Sequence, residues 1–230
     1  MTTIKDRLGL RRAPVAVAFL DAPPVGMKRW DGGAVPAGCT FWQKAMQGAS
    51  FYTLPEDHLG CAVGCHTHHI PLPPERAHEL QDTVGFMVKS GYLRMEEVPG
   101  IPTLRQAPGV VAYAPVEGAP FVPDVVLLAA QPAQAMLVYE AALRAGAGQA
   151  LTPVLGRPGC AVLPLTLQGG TSSLSFGCKG NRVFTGTPDD EMYVAVPGAR
   201  WAAVALALDE ILRANATMEQ HYRGKLALHP

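Results

Sequence analysis

The run Asp124–Ala130, DVVLLAA, constrains the fold more than any other stretch. Six consecutive apolar residues with no alternation cannot form a strand with one wet face, so the reading is a strand covered on both sides. Pro132 follows at once and opens PAQAMLVYEAALRAG, which has helical character up to Gly146. Strand, tight turn and helix in that order make half of a βαβ unit. The expected fold class is therefore α/β, with α+β as the alternative: a mixed β-sheet with flanking helices.

Other segments fit this frame. Val15–Leu20, Ser50–Leu54, Val110–Val116 and the MYVAV segment read as strands. Residues 2–11 read as a short helix with Ile4, Leu8 and Leu10 inward, Cys39–Gly48 as another, and the stretch from Pro74 as a third. After Pro197, the spacing of Trp201, Val204, Ala205, Leu208, Ile211 and Leu212 predicts a core helix. One domain over residues 1–230 is expected, with a core of about 14–213 and residues 214–230 as a C-terminal tail or exposed helix. The cysteine-bearing halves are loosely alike in layout, so two related halves are compatible with it.

Composition excludes several functions. At 48% hydrophobic and 17% charged residues, the chain can bury a core and is not disordered. Its formal net charge of zero lacks the basic surplus of a nucleic-acid binder. No apolar run reaches the ~20 residues of a membrane span. The opening MTTIKDRLGLRRAPV is charged throughout, unlike a secretory signal, and a cytoplasmic location is expected. Thiols stay reduced there, and five cysteines is an odd count, so metal or redox roles gain over a disulfide framework.

The chemistry concentrates in Asp57–Pro71, DHLGCAVGCHTHHIP, which holds two of the five cysteines and four of the seven histidines. As one continuous helix, it would place His58, Cys61, Cys65, His68 and His69 within an arc of roughly 100°, with His66 and Thr67 pointing elsewhere. Thiolate and imidazole are ligands of zinc, copper and iron–sulfur centres. The spacing matches neither a zinc finger nor a ferredoxin run, and buried cysteines also serve as plain packing. Elsewhere, Cys39 in the first turn of a helix reads as a candidate thiolate. Cys178 sits between Gly177 and Gly180, with Arg182 near enough to supply positive charge. Arg11 and Arg12 read as surface charge, and Asp189-Asp190-Glu191 as a solvated face or helix start.

Four segments together resemble a known family: PVAVAFLDAPP, CTFWQKAMQGASFYTLPEDHLGCAVGCHTHHI, APVEGAPFVPDVVLLAAQPAQAM, and GCAVLPLTLQGGTSSLSFGCKGNRVFTGTPDDEMYVAVPG. The chain is similar, from about Pro14 to Leu212, to domain-of-unknown-function family 169, which is widespread in bacteria and archaea. The resemblance implies that Cys39, Cys61, Cys160 and Cys178 occupy family motif positions, with Cys65 and the HTHH run as departures. It implies no activity.

Two readings follow. In the first, Cys39, Cys61, Cys160 and Cys178 converge on a soft metal or iron–sulfur cluster. The metal ligands would come from Cys39, Cys61, Cys65, Cys178, His58, His68 and His69, with an iron–sulfur cluster, zinc or copper as the cofactor and Arg182 beside it. In the second, a metal-free domain binds a small molecule oriented by Arg182, Asn181 and Gln134, with redox-sensitive cysteines as lining. A thiol enzyme using Cys61 with His58 or His66 as base is a further alternative. The expected partner is a metal or small-molecule ligand, with no nucleic acid or membrane, and a homo-oligomer is left open.

Overall fold

A computed structural model describes residues 2–149 and 153–227. In chain order the elements are α1 (Ile4–Leu8), β1 (Val15–Leu20), α2 (Cys39–Met46), β2 (Phe51–Thr53), α3 (Ala62–Thr67) and α4 (His78–Lys89). There follow β3 (Val110–Pro115), β4 (Val125–Ala130), α5 (Pro132–Arg144), β5 (Val154–Leu155) and α6 (Val162–Gly169). The last are β6 (Ser173–Ser175), α7 (Lys179–Thr185), β7 (Met192–Pro197) and α8 (Trp201–Ala227).

The strands form one seven-stranded sheet in the order β2-β3-β1-β4-β7-β6-β5. Every pairing is antiparallel except that of β5 with β6, so the sheet is mixed. β4 lies at its centre, and all six of its residues are buried. Val125, Leu127 and Ala129 face one layer, with Trp42 of α2 and Leu163 of α6. Val126, Leu128 and Ala130 face the other, with Val138 of α5 and Leu208 of α8. The unalternating sequence of this strand is thus the signature of a sheet sandwiched between two helical layers.

The βαβ expectation needs one correction. The crossover through α5 leads from β4 to β5, but β7 and β6 lie between those strands. The neighbours of β4 are β1 and β7, both antiparallel to it.

On the α5 face, α8 buries Val204, Leu208 and Ile211. The helix then continues to Ala227, where a tail or exposed helix was expected. On the opposite face lie α2, α3 and α6, with α4 outside them; no residue of α4 is buried. The acidic run near β7 is not a solvated face. Glu191 is buried and pairs with Arg12 and, at 3.3 Å, with Arg11, while Arg11 also meets Asp190 at 2.8 Å. These bonds fasten the segment after α1 to the start of β7. Asp190 is held well below the usual carboxylate range by its bonds to Arg11 and Gln131.

Candidate functional site

The histidine- and cysteine-rich stretch is not one helix. Pro55–His58 forms a 3₁₀ turn, started by a bond from the Leu54 N–H to Asp57 Oδ2 at 2.8 Å. The chain then breaks at Gly60, where a Cβ would lie 1.9 Å from the Val35 carbonyl oxygen. Cys61 adopts an extended conformation and becomes the N-cap of α3, its Sγ accepting the Gly64 N–H at 3.2 Å. The common face expected of one helix is therefore divided.

Cys61 and His68 line a cavity of about 500 Å³. His66 lines it too, although it was expected to point elsewhere. His58 and Cys65 turn into packing. His58 is buried and shares a 2.8 Å bond with Thr53 Oγ1, and Cys65 Sγ donates to the His58 carbonyl at 3.2 Å. His69 is exposed, with φ 57° and its ring on the Leu104 carbonyl at 2.9 Å.

Cys39, Cys160 and Cys178 line the same cavity as Cys61. The fold brings them in from four segments. Cys39 is the first residue of α2, Cys61 caps α3, Cys160 lies in the 3₁₀ turn leading into α6, and Cys178 caps α7. Glycine permits the closest approach among these segments: a Cβ on Gly159 would lie 3.2 Å from the Gly177 Cα and 3.3 Å from the Cys178 nitrogen.

Each sulfur has its own donor. The Asn181 side chain bonds Cys39, and the Gly64 and Gly38 amides bond Cys61. The Thr67 hydroxyl reaches Cys160 at 3.3 Å, and the Asn181 N–H reaches Cys178 at 3.4 Å. Asn181 is fixed in turn by Tyr193, whose hydroxyl lies 3.1 Å from both ends of its amide.

Burial dominates the electrostatics. It pushes the Cys39 thiol up to about 12, with the neighbouring sulfurs of Cys178 and Cys61 adding to the shift. The helix-start thiolate expected of Cys39 is therefore not its free form, because desolvation outweighs the helix terminus. Cys61 is raised by burial against the opposing pull of its amides, and Cys160 is raised well above the thiol range by burial and the nearby Cys61. Cys65 is also pushed up to about 12 by burial. His68 is kept neutral by burial.

Two orphaned polar atoms accompany the sulfurs. The Tyr113 hydroxyl is buried without a hydrogen-bond partner, and proximity to Cys39 and Cys160 adds to the upward shift that burial gives its pKa. The Nδ1 of His68 meets the Gly64 carbonyl at 2.9 Å, so Nδ1 carries the proton and Nε2 keeps a lone pair. That Nε2 has no partner.

Arg182 lines a second cavity beside the first, but its guanidinium is spent on the carbonyls of Pro188, Phe176 and Glu191. Gln134 lies away from the site: it caps α5 and bonds the Leu8 and Gly9 carbonyls. Sequence reasoning missed Thr67, which was expected to point away, and Tyr113. The only signal for Thr67 was its place one turn after Val63 in a helix whose true start is Cys61.

Among the described residues, no group of three or more His, Cys, Asp or Glu side chains is positioned to hold one metal ion. Nor is any described helix long and apolar enough to cross a membrane. The DUF169 family profile, described as "Uncharacterised ArCR", matches residues 3–206, so the chain belongs to that family. No curated protein and no solved structure matches it.

Proposed function

We propose that this DUF169 protein binds an iron–sulfur cluster through Cys39, Cys61, Cys160 and Cys178, and that the cluster serves a redox or metal-handling role. The observation that carries this reading is that four cysteines from four separate segments line one cavity, each sulfur with its own hydrogen-bond donor. Hydrogen bonds to sulfur are among the features that set cluster potentials. Without a cation these thiols stay protonated, because burial penalises four adjacent negative charges. Iron would displace the protons and compensate the charge.

The residues fit such a group in two further respects. The Tyr113 hydroxyl and His68 Nε2 are buried polar atoms without partners, and native proteins seldom leave such groups unserved. A single zinc ion suits the arrangement less well. It needs each sulfur about 2.3 Å from one point, and the thiols are not gathered so tightly around any one position. A cluster spreads its ligands around several metal atoms. All five cysteines are free, which goes with a reducing cytoplasm.

The test is purification without oxygen, followed by iron and acid-labile sulfide analysis, absorption spectroscopy and electron paramagnetic resonance. Roughly four iron and four sulfide per chain, with broad absorption near about 400 nm, are expected for a cubane. A colourless protein without iron, both as isolated and after anaerobic reconstitution with iron and sulfide, would overturn the reading.

A further inference from the structure

The cysteines line only part of the cavity. The rest of its wall is apolar and comes from α4 and the segment after it, with Leu80, Val84, Met87 and Ile101 facing the space. At about 500 Å³, the cavity lies within the ~300–1,000 Å³ range of small-molecule sites. Phe86 and Phe184 also line it, yet are 72% and 48% exposed. Large aromatic side chains left wet around a concave apolar space are what a ligand would cover.

The charge around this space is one-sided. No carboxylate lines the cavity, and Arg157 and Lys179 are the charged side chains that do, apart from its histidines. Both also line the adjoining second cavity, together with Tyr92, Leu93 and Cys178, so the two spaces meet there. The one carboxylate in the second cavity, Glu97, lies 3.6 Å from Arg157 and is already held by Arg94 at 3.2 Å. Arg157 stacks over the Tyr92 ring at 4.9 Å, which fixes the guanidinium at this junction. Lys179 is exposed and makes no ion pair among the described residues.

We infer that the cavity binds an amphipathic carboxylate, its alkyl or aryl body against α4 and its carboxylate at Arg157 and Lys179. The apolar wall supplies affinity by removing hydrocarbon from water, and the two cations select an anionic end. This inference goes beyond the cluster reading and does not rest on it, because it uses the opposite wall and the junction of the two cavities.

The experiment is calorimetric titration of the full chain with decanoate, decanol and decylammonium, with iron measured on the same samples. Decanoate is expected to bind about tenfold more tightly than decanol, with decylammonium weakest. Lys179→Glu, at an exposed side chain without an ion pair, should weaken decanoate, spare decanol and strengthen decylammonium. 4-Phenylbutyrate, run in parallel, distinguishes an aryl from an alkyl carboxylate; anion-dependent binding of either supports the site. Equal affinity for decanoate and decanol, or binding of neither carboxylate, overturns it. Decanoate binding to samples that cannot be loaded with iron would sink the cluster and leave this site standing. Iron-loaded protein that ignores both carboxylates would do the reverse.

Discussion

Thr67 Oγ1 lies 3.3 Å from Cys160 Sγ, joining residues 93 positions apart. The same oxygen lies 2.9 Å from the Gly64 carbonyl, and one hydroxyl proton cannot serve both. The Gly64 carbonyl is already met by His68 Nδ1 at 2.9 Å and by the His68 N–H at 3.0 Å. When Cys160 is deprotonated or metal-bound, the Thr67 proton is therefore free to turn to its sulfur.

Thr67→Val keeps the shape and removes that proton. A loss of about 1 kcal/mol in urea unfolding is expected for one buried hydrogen bond. In iron-loaded protein the midpoint potential should also become more negative, since a donor to a ligand sulfur favours the reduced cluster. An unchanged potential in a loaded Val variant would remove Thr67 from the site's chemistry.

Gly60→Ala tests the break that makes Cys61 a cap. The added carbon would meet the Val35 carbonyl oxygen at 1.9 Å, a contact only backbone movement can relieve. Destabilisation of about 2 kcal/mol or more is expected. Iron retention should fall with it, because the displaced residue adjoins Cys61. An alanine variant with wild-type unfolding would mean that the break has another cause.

Glu191→Gln should destabilise the protein by about 3 kcal/mol, measured by urea unfolding. Removing one partner of a buried pair leaves the other without compensation, and Glu191 is 3% exposed. Arg12 keeps its Gln43 bond, so the loss belongs to the unpaired charge rather than to a freed side chain. A change below about 0.5 kcal/mol, typical of surface positions, would show that the pair is screened.

The central strand was legible because burial on both faces leaves a direct mark, six apolar residues without alternation, and β4 carries it. The helices α6 and α7 were not, because Pro158, Gly159, Gly177 and Gly180 around them read as turns. The four cysteines could be singled out by residue type and by the family resemblance. Their grouping on one cavity could not, because it depends on backbone packing between Gly159 and Gly177, and sequence periodicity carries no trace of that contact. The division of Asp57–Pro71 was hidden for a similar reason: the residue that breaks the helix clashes with Val35, far away in the chain.

Acid should destabilise the fold through His58. Burial, with His68 nearby, lowers its pKa to about 3, against about 6.5 for an exposed imidazole. Below about pH 6.5 the unfolded chain binds a proton that the folded one refuses, so stability falls with pH until about 3. His68, also lowered by burial, acts in the same direction. His58→Asn removes one such proton and should flatten the slope of unfolding free energy against pH between 6 and 4, by about one proton's worth. An unchanged slope would mean that His58 is protonated in the folded protein.

The sharpest discrimination is between Cys65 and Cys178. Both are cysteines near the same helical layer, but only Cys178 lines the cavity; Cys65 is fully buried, with its thiol on the His58 carbonyl. Cys65→Ala should therefore cost about 1 kcal/mol of stability, from a lost weak hydrogen bond and a small void, and leave iron content per folded chain unchanged. Cys178→Ser keeps an N-cap for α7, since serine accepts the Asn181 N–H at least as well as sulfur does. Its fold should persist while the cluster is lost or becomes labile to oxygen. If the two variants instead lost iron equally, or if Cys65→Ala alone lost it, the ligand set would have to be redrawn around α3, with the cavity left to its organic ligand.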